Sequence, residues 1–186
     1  MGRVIFLLEE PSMKAFLLEY LPRLMPGWTH EQDFLLVPHQ GKTDLDKSIT
    51  NKLKNWREPG VRFVVVRDND GCDCHVLKER LQARCEGHHT ETLVRLICQE
   101  LESWYLGDLT ALEQAYPSHR KVLSGLTRRF PDPDACQKPS HELERLVPDF
   151  QKQDAARRFG RLLRYQDNRS ASLRVFSQGV ERLGKV

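Results

Sequence analysis

The chain has 186 residues, 39% hydrophobic and 30% charged, with a formal net charge of +3; these values suit one domain, or one domain with a helical extension, and ample material for a core. The longest apolar run near the N-terminus, Val4-Ile5-Phe6-Leu7-Leu8, is closed by Glu9-Glu10. It is too short to span a bilayer and lacks a small-residue cleavage site, so a membrane-spanning or secreted reading is excluded and a cytoplasmic location is expected.

That first run is apolar throughout and reads as a strand. Pro11-Ser12 break it, with Ser12 available as a helix cap, and Phe16, Leu17, Tyr20, Leu21 and Leu24 recur at helical spacing to about Met25. Pro26-Gly27 makes a turn, and Phe34-Leu35-Leu36-Val37 is a second strand closed by Pro38. After Gly41-Lys42-Thr43 comes a helix with Leu45, Ile49, Leu53 and Trp56 on one face, stopped by Pro59-Gly60. Phe63-Val64-Val65-Val66 then runs into Arg67-Asp68-Asn69-Asp70-Gly71. An apolar run of this kind marks a strand buried on both faces, hence a parallel sheet. A helix carrying Leu77, Leu81 and Cys85 follows, and Thr92 to Cys98 reads as a fourth strand leading to Glu100 and Glu102.

The order β-α-β-α-β-α-β predicts an α/β, Rossmann-like, doubly wound and mainly parallel sheet with right-handed crossovers. Beyond Asp108 the character changes. No further strand stands out, and two amphipathic patterns remain, one through Ala155, Ala156, Phe159, Leu162 and Leu163, the other through Leu173, Phe176, Val180 and Leu183, with Ser172 as N-cap. Residues 118–186 carry 15 Lys and Arg against 8 Asp and Glu, so the preceding part is net acidic. The expected organisation is an α/β catalytic core over 1–110 and a basic, mainly helical extension over 111–186 packed on it. A basic extension beside an acidic core suits a polyanionic substrate, although a solvated helical surface has the same composition.

Three strands end in carboxylates: Glu9 and Glu10, then Asp68 and Asp70, then Glu100 and Glu102. In a parallel sheet these ends share one edge, where ligands of open α/β sheets bind. Two carboxylates two positions apart repel each other unless a cation or proton lies between them. Oxygen-only donors suit Mg²⁺ or Mn²⁺, which retain waters for substrate phosphates. Some of these acids have a simpler role as charges at helix starts, Glu102 and Asp73 above all.

Several stretches together carry a resemblance. They are Leu8-Glu9-Glu10-Pro11-Ser12, His39-Gln40-Gly41-Lys42-Thr43-Asp44-Leu45, Arg67-Asp68-Asn69-Asp70 with Cys74 and Lys78, Arg95 through Glu100-Leu101-Glu102-Ser103-Trp104-Tyr105-Leu106-Gly107-Asp108, and Asn168-Arg169-Ser170-Ala171-Ser172. A Glu after the first strand and Asp-x-Asp after a later one resemble the Toprim domain of topoisomerases, primases and overcoming-lysogenization-defect nucleases. The chain more closely resembles the Toprim-like domain-of-unknown-function family 4276, because a generic Toprim domain lacks the Glu-x-Glu-x-Trp and Asn-Arg-Ser blocks. The resemblance implies an Mg²⁺- or Mn²⁺-dependent nuclease acting on DNA or RNA. It also implies a neighbouring AAA- or ABC-like ATPase in an antiphage defence setting. It makes Glu9 the general acid/base, with Glu10 as its alternative, Asp68 and Asp70 metal ligands, and Glu100 and Glu102 a second metal position. Relatives usually carry Gly in place of Glu10 and an acid in place of Met13, and Met13 cannot bind Mg²⁺.

Weaker candidates complete the set. Lys42, Arg67 and Arg169 are cations available for phosphate or nucleic acid, and Asp73 is a supporting acid behind the ligands. Gly41-Lys42-Thr43 lacks the upstream glycine and spacing of a P-loop. Trp104 and Tyr105 read as core or interface residues. Cys72-x-Cys74-His75 with His88-His89 invites a zinc reading, but structural zinc sites usually place two residues between cysteines. The five cysteines form no disulfide framework. Two rival readings are a non-catalytic accessory subunit binding the ATPase or nucleic acid, and phosphoryl transfer through an aspartyl phosphate. The latter wants its Asp after the first strand, where Glu stands here. Whether the chain forms an oligomer is open.

Overall fold

A computed structural model describes residues 2–87 and 91–185. Four parallel strands, β1 (Val4–Leu8), β2 (Phe34–Pro38), β3 (Arg62–Asp68) and β4 (Thr92–Ile97), form one sheet in the order β2-β1-β3-β4. The fold is the expected doubly wound α/β sheet followed by helices. Helix α1 (Pro11–Leu24) joins β1 to β2, α2 (Lys42–Asn55) joins β2 to β3, and α3 (Cys74–Cys85) joins β3 to β4.

Side chains alternate across a strand, and this period divides the apolar residues into two cores. Ile5, Leu7, Phe63, Val65 and Val94 face Leu45, Ile49 and Leu53 of α2 and Leu77 and Leu81 of α3. Val4, Phe6, Leu8, Val64, Val66 and Ile97 face α1 and the helices of the C-terminal half. Both central strands are therefore covered on both faces, which accounts for the unbroken apolar runs.

The region after Asp108 contains more helix than its sequence pattern predicts. Between α4 (Glu102–Leu106) and α9 (Lys152–Leu162) lie α5 (Leu109–Ala115), α6 (Arg120–Leu123), α7 (Leu126–Arg129) and α8 (Pro139–Leu146). These pieces have one to two turns, too short for an apolar stripe to repeat, and packing rather than propensity holds them. Helix α10 (Ala171–Gly184) ends the fold. No described helix is long and apolar enough to cross a membrane.

Two caps differ from expectation. Glu10, not Ser12, is the N-cap of α1, and Ser12 instead donates its hydroxyl to the Glu10 carboxylate. Ser170, not Ser172, caps α10 by accepting from Leu173 N at 3.1 Å. Ser172 is redirected because its hydroxyl accepts from Trp104 Nε1 at 2.8 Å, fixing α10 to α4.

The Asn-Arg-Ser block is the clamp between these two helices. Asn168 Nδ2 donates to Trp104 O at 2.8 Å, and Arg169 donates to the carbonyls of Leu106, Phe130 and Pro131. Gly107 leaves room for it, since a Cβ there would lie 1.9 Å from Asn168 Oδ1.

Helices α1 and α9 also pack backbone against backbone. A Cβ on Gly160 would stand 2.5 Å from Phe16 O and 2.8 Å from Glu19 Cβ. Arg23 fastens the same crossing by donating to Gly160 O at 2.7 Å and Leu163 O at 3.0 Å. Gly160→Ala must push α9 away from α1, so a loss of about 1–3 kcal/mol is expected. Thermal unfolding should register it as a drop of several degrees, whereas Gly125→Ala, with open space around its Cβ, should leave the midpoint within a degree or so.

Candidate acidic site at the sheet edge

The strand register brings the acids together. Leu8 pairs with Val66 and Asp68 with Ile97, so the residues following β1, β3 and β4 leave the sheet side by side. Asp68 N donates to Glu9 Oε2 at 3.1 Å, joining the first two strand ends directly. The third is joined through Asn69, whose Oδ1 accepts from Gln99 N at 2.5 Å while Asp70 N donates to Gln99 O at 3.2 Å. Asn69 also donates to Cys72 O at 2.9 Å and Cys74 Sγ at 3.0 Å. Asp70 and Gln99 sit at φ of 49° and 64°, in the left-handed region where Asp is among the better-tolerated non-glycine residues. The residue between the two aspartates is thus a staple that aims them.

Glu9, Asp68 and Glu102 are all buried, Glu102 to 1% exposure. Among the described residues, both Glu102 oxygens and Asp68 Oδ1 have no hydrogen-bond partner. Burial, reinforced by the charge of Asp70, pushes the Glu9 carboxyl up to about 7. Burial also pushes Glu102 to about 7 against the pull of Lys152. Asp68 is held well above the usual carboxylate range by burial, then by Glu9 and Glu102. Tyr105 is fully buried, its hydroxyl without a hydrogen-bond partner among the described residues, and burial, then Glu102, Glu10 and Asp68, keep that hydroxyl from ionising.

Cations stand around this group. Lys42 Nζ lies 3.0 Å from Asp70 Oδ2 on the outer rim. Arg67 is buried beside the acids rather than presented at the surface, with Nε 3.8 Å from Glu9 Oε2 and 3.6 Å from Asp46 Oδ1. Lys152, the first residue of α9, places Nζ 3.1 and 3.2 Å from the two oxygens of Glu10. Its burial opposes the ammonium charge, but Glu102 and Glu10 outweigh that effect and hold it protonated. Lys152 has no motif around it in the sequence. It reaches the edge only because α9 packs against α1.

Other candidates have separate engagements. Glu100 Oε2 accepts from Ser140 N at 3.0 Å, at the start of α8. Asp73 is the N-cap of α3, accepting from His75 N at 2.8 Å and Val76 N at 3.0 Å. Arg169 belongs to the interhelical clamp. Met13 is 1% exposed in the core with Phe16, Val66, Ile97 and Trp104. His39 Nδ1 donates to Leu8 O at 2.8 Å and Nε2 meets Ser48 Oγ at 2.6 Å, which anchors the end of β2 to β1 and α2.

Among the described residues no group of three or more His, Cys, Asp or Glu is arranged to hold a metal ion. This covers Cys72, Cys74 and His75; His88 and His89 of the zinc reading lie outside the described residues. The acidic edge nevertheless suits a hard cation in donor type and charge. Its donors are all oxygens, three of those oxygens are buried without partners, and the acids repel one another in a low-dielectric setting.

The raised carboxyls carry a sign for stability. Folded Glu9 and Glu102 keep their protons up to about 7, while in the unfolded chain glutamates lose theirs near about 4.3. The folded state binds more protons in that interval, so its stability falls as pH rises through it. Unfolding midpoints of the metal-free protein should decline between about pH 4.3 and about pH 7, and Glu102→Gln should make the decline shallower.

No curated protein and no solved structure matches the chain. Residues 8–183 match the family described as Domain of unknown function (DUF4276). The fold is Toprim-like and resembles that of an enzyme superfamily associated with nucleic acids. Over nearly all of its length, the chain belongs to the DUF4276 family.

Proposed function

We propose that the chain is an Mg²⁺- or Mn²⁺-dependent nuclease that hydrolyses phosphodiester bonds in DNA or RNA at the edge formed by Glu9, Asp68, Asp70 and Glu102. The observation that carries this reading is the set of buried carboxylate oxygens on Asp68 and Glu102 that have no partner. Such groups ionise only at a large cost unless a positive charge lies beside them, and a bound cation would supply it. Asp68, Asp70 and Glu102 would hold the cation, with Glu100 contributing through the oxygen that does not accept from Ser140. When bound, the cation would neutralise phosphate charge and acidify a water molecule.

Glu9 is suited to proton transfer. Its carboxyl is pushed up to about 7, so both protonation states are populated near neutral pH, as an acid/base group requires. The hydrogen bond from Asp68 N leaves Glu9 Oε2 fixed beside Asp68. In hydrolysis its carboxylate would take a proton from the attacking water as the water oxygen bonds to phosphorus, while the P–O bond to the leaving oxygen breaks and that oxygen takes a proton from solvent water. Glu10 is held by Lys152 and Ser12, an arrangement better suited to balancing charge. Lys42 is placed to release Asp70 and contact phosphate. The family resemblance adds an AAA- or ABC-like ATPase as partner and an antiphage setting.

A second reading is favoured by the lack of a pre-arranged metal cluster among the described residues: an accessory subunit that keeps the fold to bind its ATPase or nucleic acid. Catalysis decides between them. Glu9→Gln should lower turnover by about 10²–10⁴-fold in Mg²⁺ or Mn²⁺; Asp70→Ala should abolish cleavage and Lys42→Ala should retain much of it. If the wild-type chain, alone and with its ATPase, cleaves no nucleic acid and binds no metal, the accessory reading stands instead.

The same acids provide a test that does not depend on turnover. Near neutral pH, saturating Mg²⁺ should raise the unfolding midpoint of the wild-type chain, with about 2.7 kcal/mol expected at a hundred times Kd. Asp68→Asn replaces a carboxyl whose ionisation burial and Glu9 oppose with an amide that cannot ionise. It should be more stable than wild type without metal, and gain little when Mg²⁺ is added.

A further inference from the structure

The acidic edge opens into a cleft of about 280 Å³ lined by Asp70, Gly71, Gln99, Glu100, Gln137 and Lys138. Gln137 and Lys138 are also part of the lining of a second cleft, of about 520 Å³, whose other sides include Arg129, Phe130, Pro131 and Cys136. The shared wall is anchored on both sides. Ser140 N donates to Glu100 Oε2 at 3.0 Å, tying the start of α8 to the end of β4. On the other side, Arg169 donates to the carbonyls of Phe130 and Pro131.

Each cleft has the size of a pocket for one small ligand unit, and neither admits a duplex. Their chemistry differs along the path. The inner cleft has carboxylates on one wall and the exposed Lys138 on the other. Lys138 is in no ion pair among the described residues. The outer cleft has the half-buried ring of Phe130 beneath the Arg129 guanidinium, 5.0 Å from the ring centroid. Arg129 also neutralises Glu142, a further lining residue, at 2.8 Å.

We propose that the two clefts form a binding track for single-stranded nucleic acid, with Lys138 on a backbone phosphate between them and Phe130 with Arg129 stacking a base in the outer one. The proposal rests on the nuclease reading and specifies its substrate class. A cation flanked by two nucleotide-sized spaces meets the phosphate that links two nucleotides. Phe130 packs in part against the core and seats the Arg129 guanidinium on its ring, whose outer plane offers stacking that any base can use. The strand would then pass the scissile phosphate along the wall that carries Asp70 and Glu100.

Fluorescence anisotropy of the full chain with labelled single-stranded and duplex oligonucleotides, in EDTA and over a range of salt, separates track from chemistry because no cleavage occurs. Single strands should bind more tightly than duplex. Phe130→Ala should weaken that binding by about tenfold, and Phe130→Tyr, which keeps the ring, should restore it. Lys138→Gln should weaken binding and reduce the slope of log affinity against log salt by about 0.7. Single-strand binding unchanged in Phe130→Ala and Lys138→Gln, or tighter binding of duplex, overturns the track and leaves the nuclease reading intact if the wild-type chain cleaves. No binding to any nucleic acid in EDTA also overturns the track, and the nuclease reading is then decided separately by cleavage in Mg²⁺ or Mn²⁺.

Discussion

Repulsion among buried carboxylates is the constraint to which the rest of this molecule answers. Glu9, Asp68 and Glu102 are withdrawn from water at one edge of the sheet, where the charges of Glu9 and Glu102 make ionisation of Asp68 harder. A surface acid in the same sequence would be screened by solvent and salt. Here the apolar columns of β1 and β3 below the edge and the helices above it exclude that solvent. The opposing stabilisation comes from side chains such as Phe6, Val64, Phe63 and Val65, each fully buried and each worth about 1.5–3 kcal/mol. Two such cores make it affordable to hold an unfavourable charge group in place.

The parallel register converts that tolerance into geometry. Strands that start together end together, and the acids that follow them reach one edge without any local signal linking Glu9 to Glu102. Asn69 then matters more than its position between two aspartates suggests. It joins the loop after β3 to the loop after β4 and sets the direction of Asp70. Burial raises the carboxyls of Glu9 and Glu102 to about 7, so protonation relieves the group below neutral pH.

The C-terminal helices belong to the same construction. One continuous core runs from Val4 through Phe159 to Leu183, and Asn168, Ser170 and Ser172 lock α10 to α4 and to Asp134. Through this packing α9 delivers Lys152 to Glu10, and α8 delivers Ser140 and Lys138 to the side of Glu100. The basic half of the chain thus supplies countercharge at the acidic edge in addition to a charged surface.

The chain by itself determined the class of fold. Val4–Leu8 and Phe63–Val66 are apolar without alternation, which only a strand covered on both faces explains, and the helices between them show their period over three or four turns. It also marked the acids, since carboxylates directly after buried strands must share an edge in a parallel sheet. The short helices between Leu109 and Leu146 leave no readable period; at α10 two serines fit the capping rule and packing selects Ser170, while at α1 the cap position falls to Glu10, which makes no side-chain cap bond. Only the tertiary structure decided which acids stay unpartnered. Glu100 and Asp73 became ligands of helix N-termini, Arg169 and Asn168 became an interhelical clamp, Met13 went into the core, and Glu102 with Asp68 remained buried and unsatisfied. The physical reason is that solvation and charge pairing depend on neighbours distant in sequence. The carboxylates after the strands were therefore visible in the sequence, while their burial, their titration near neutrality and the approach of Lys152 were products of packing.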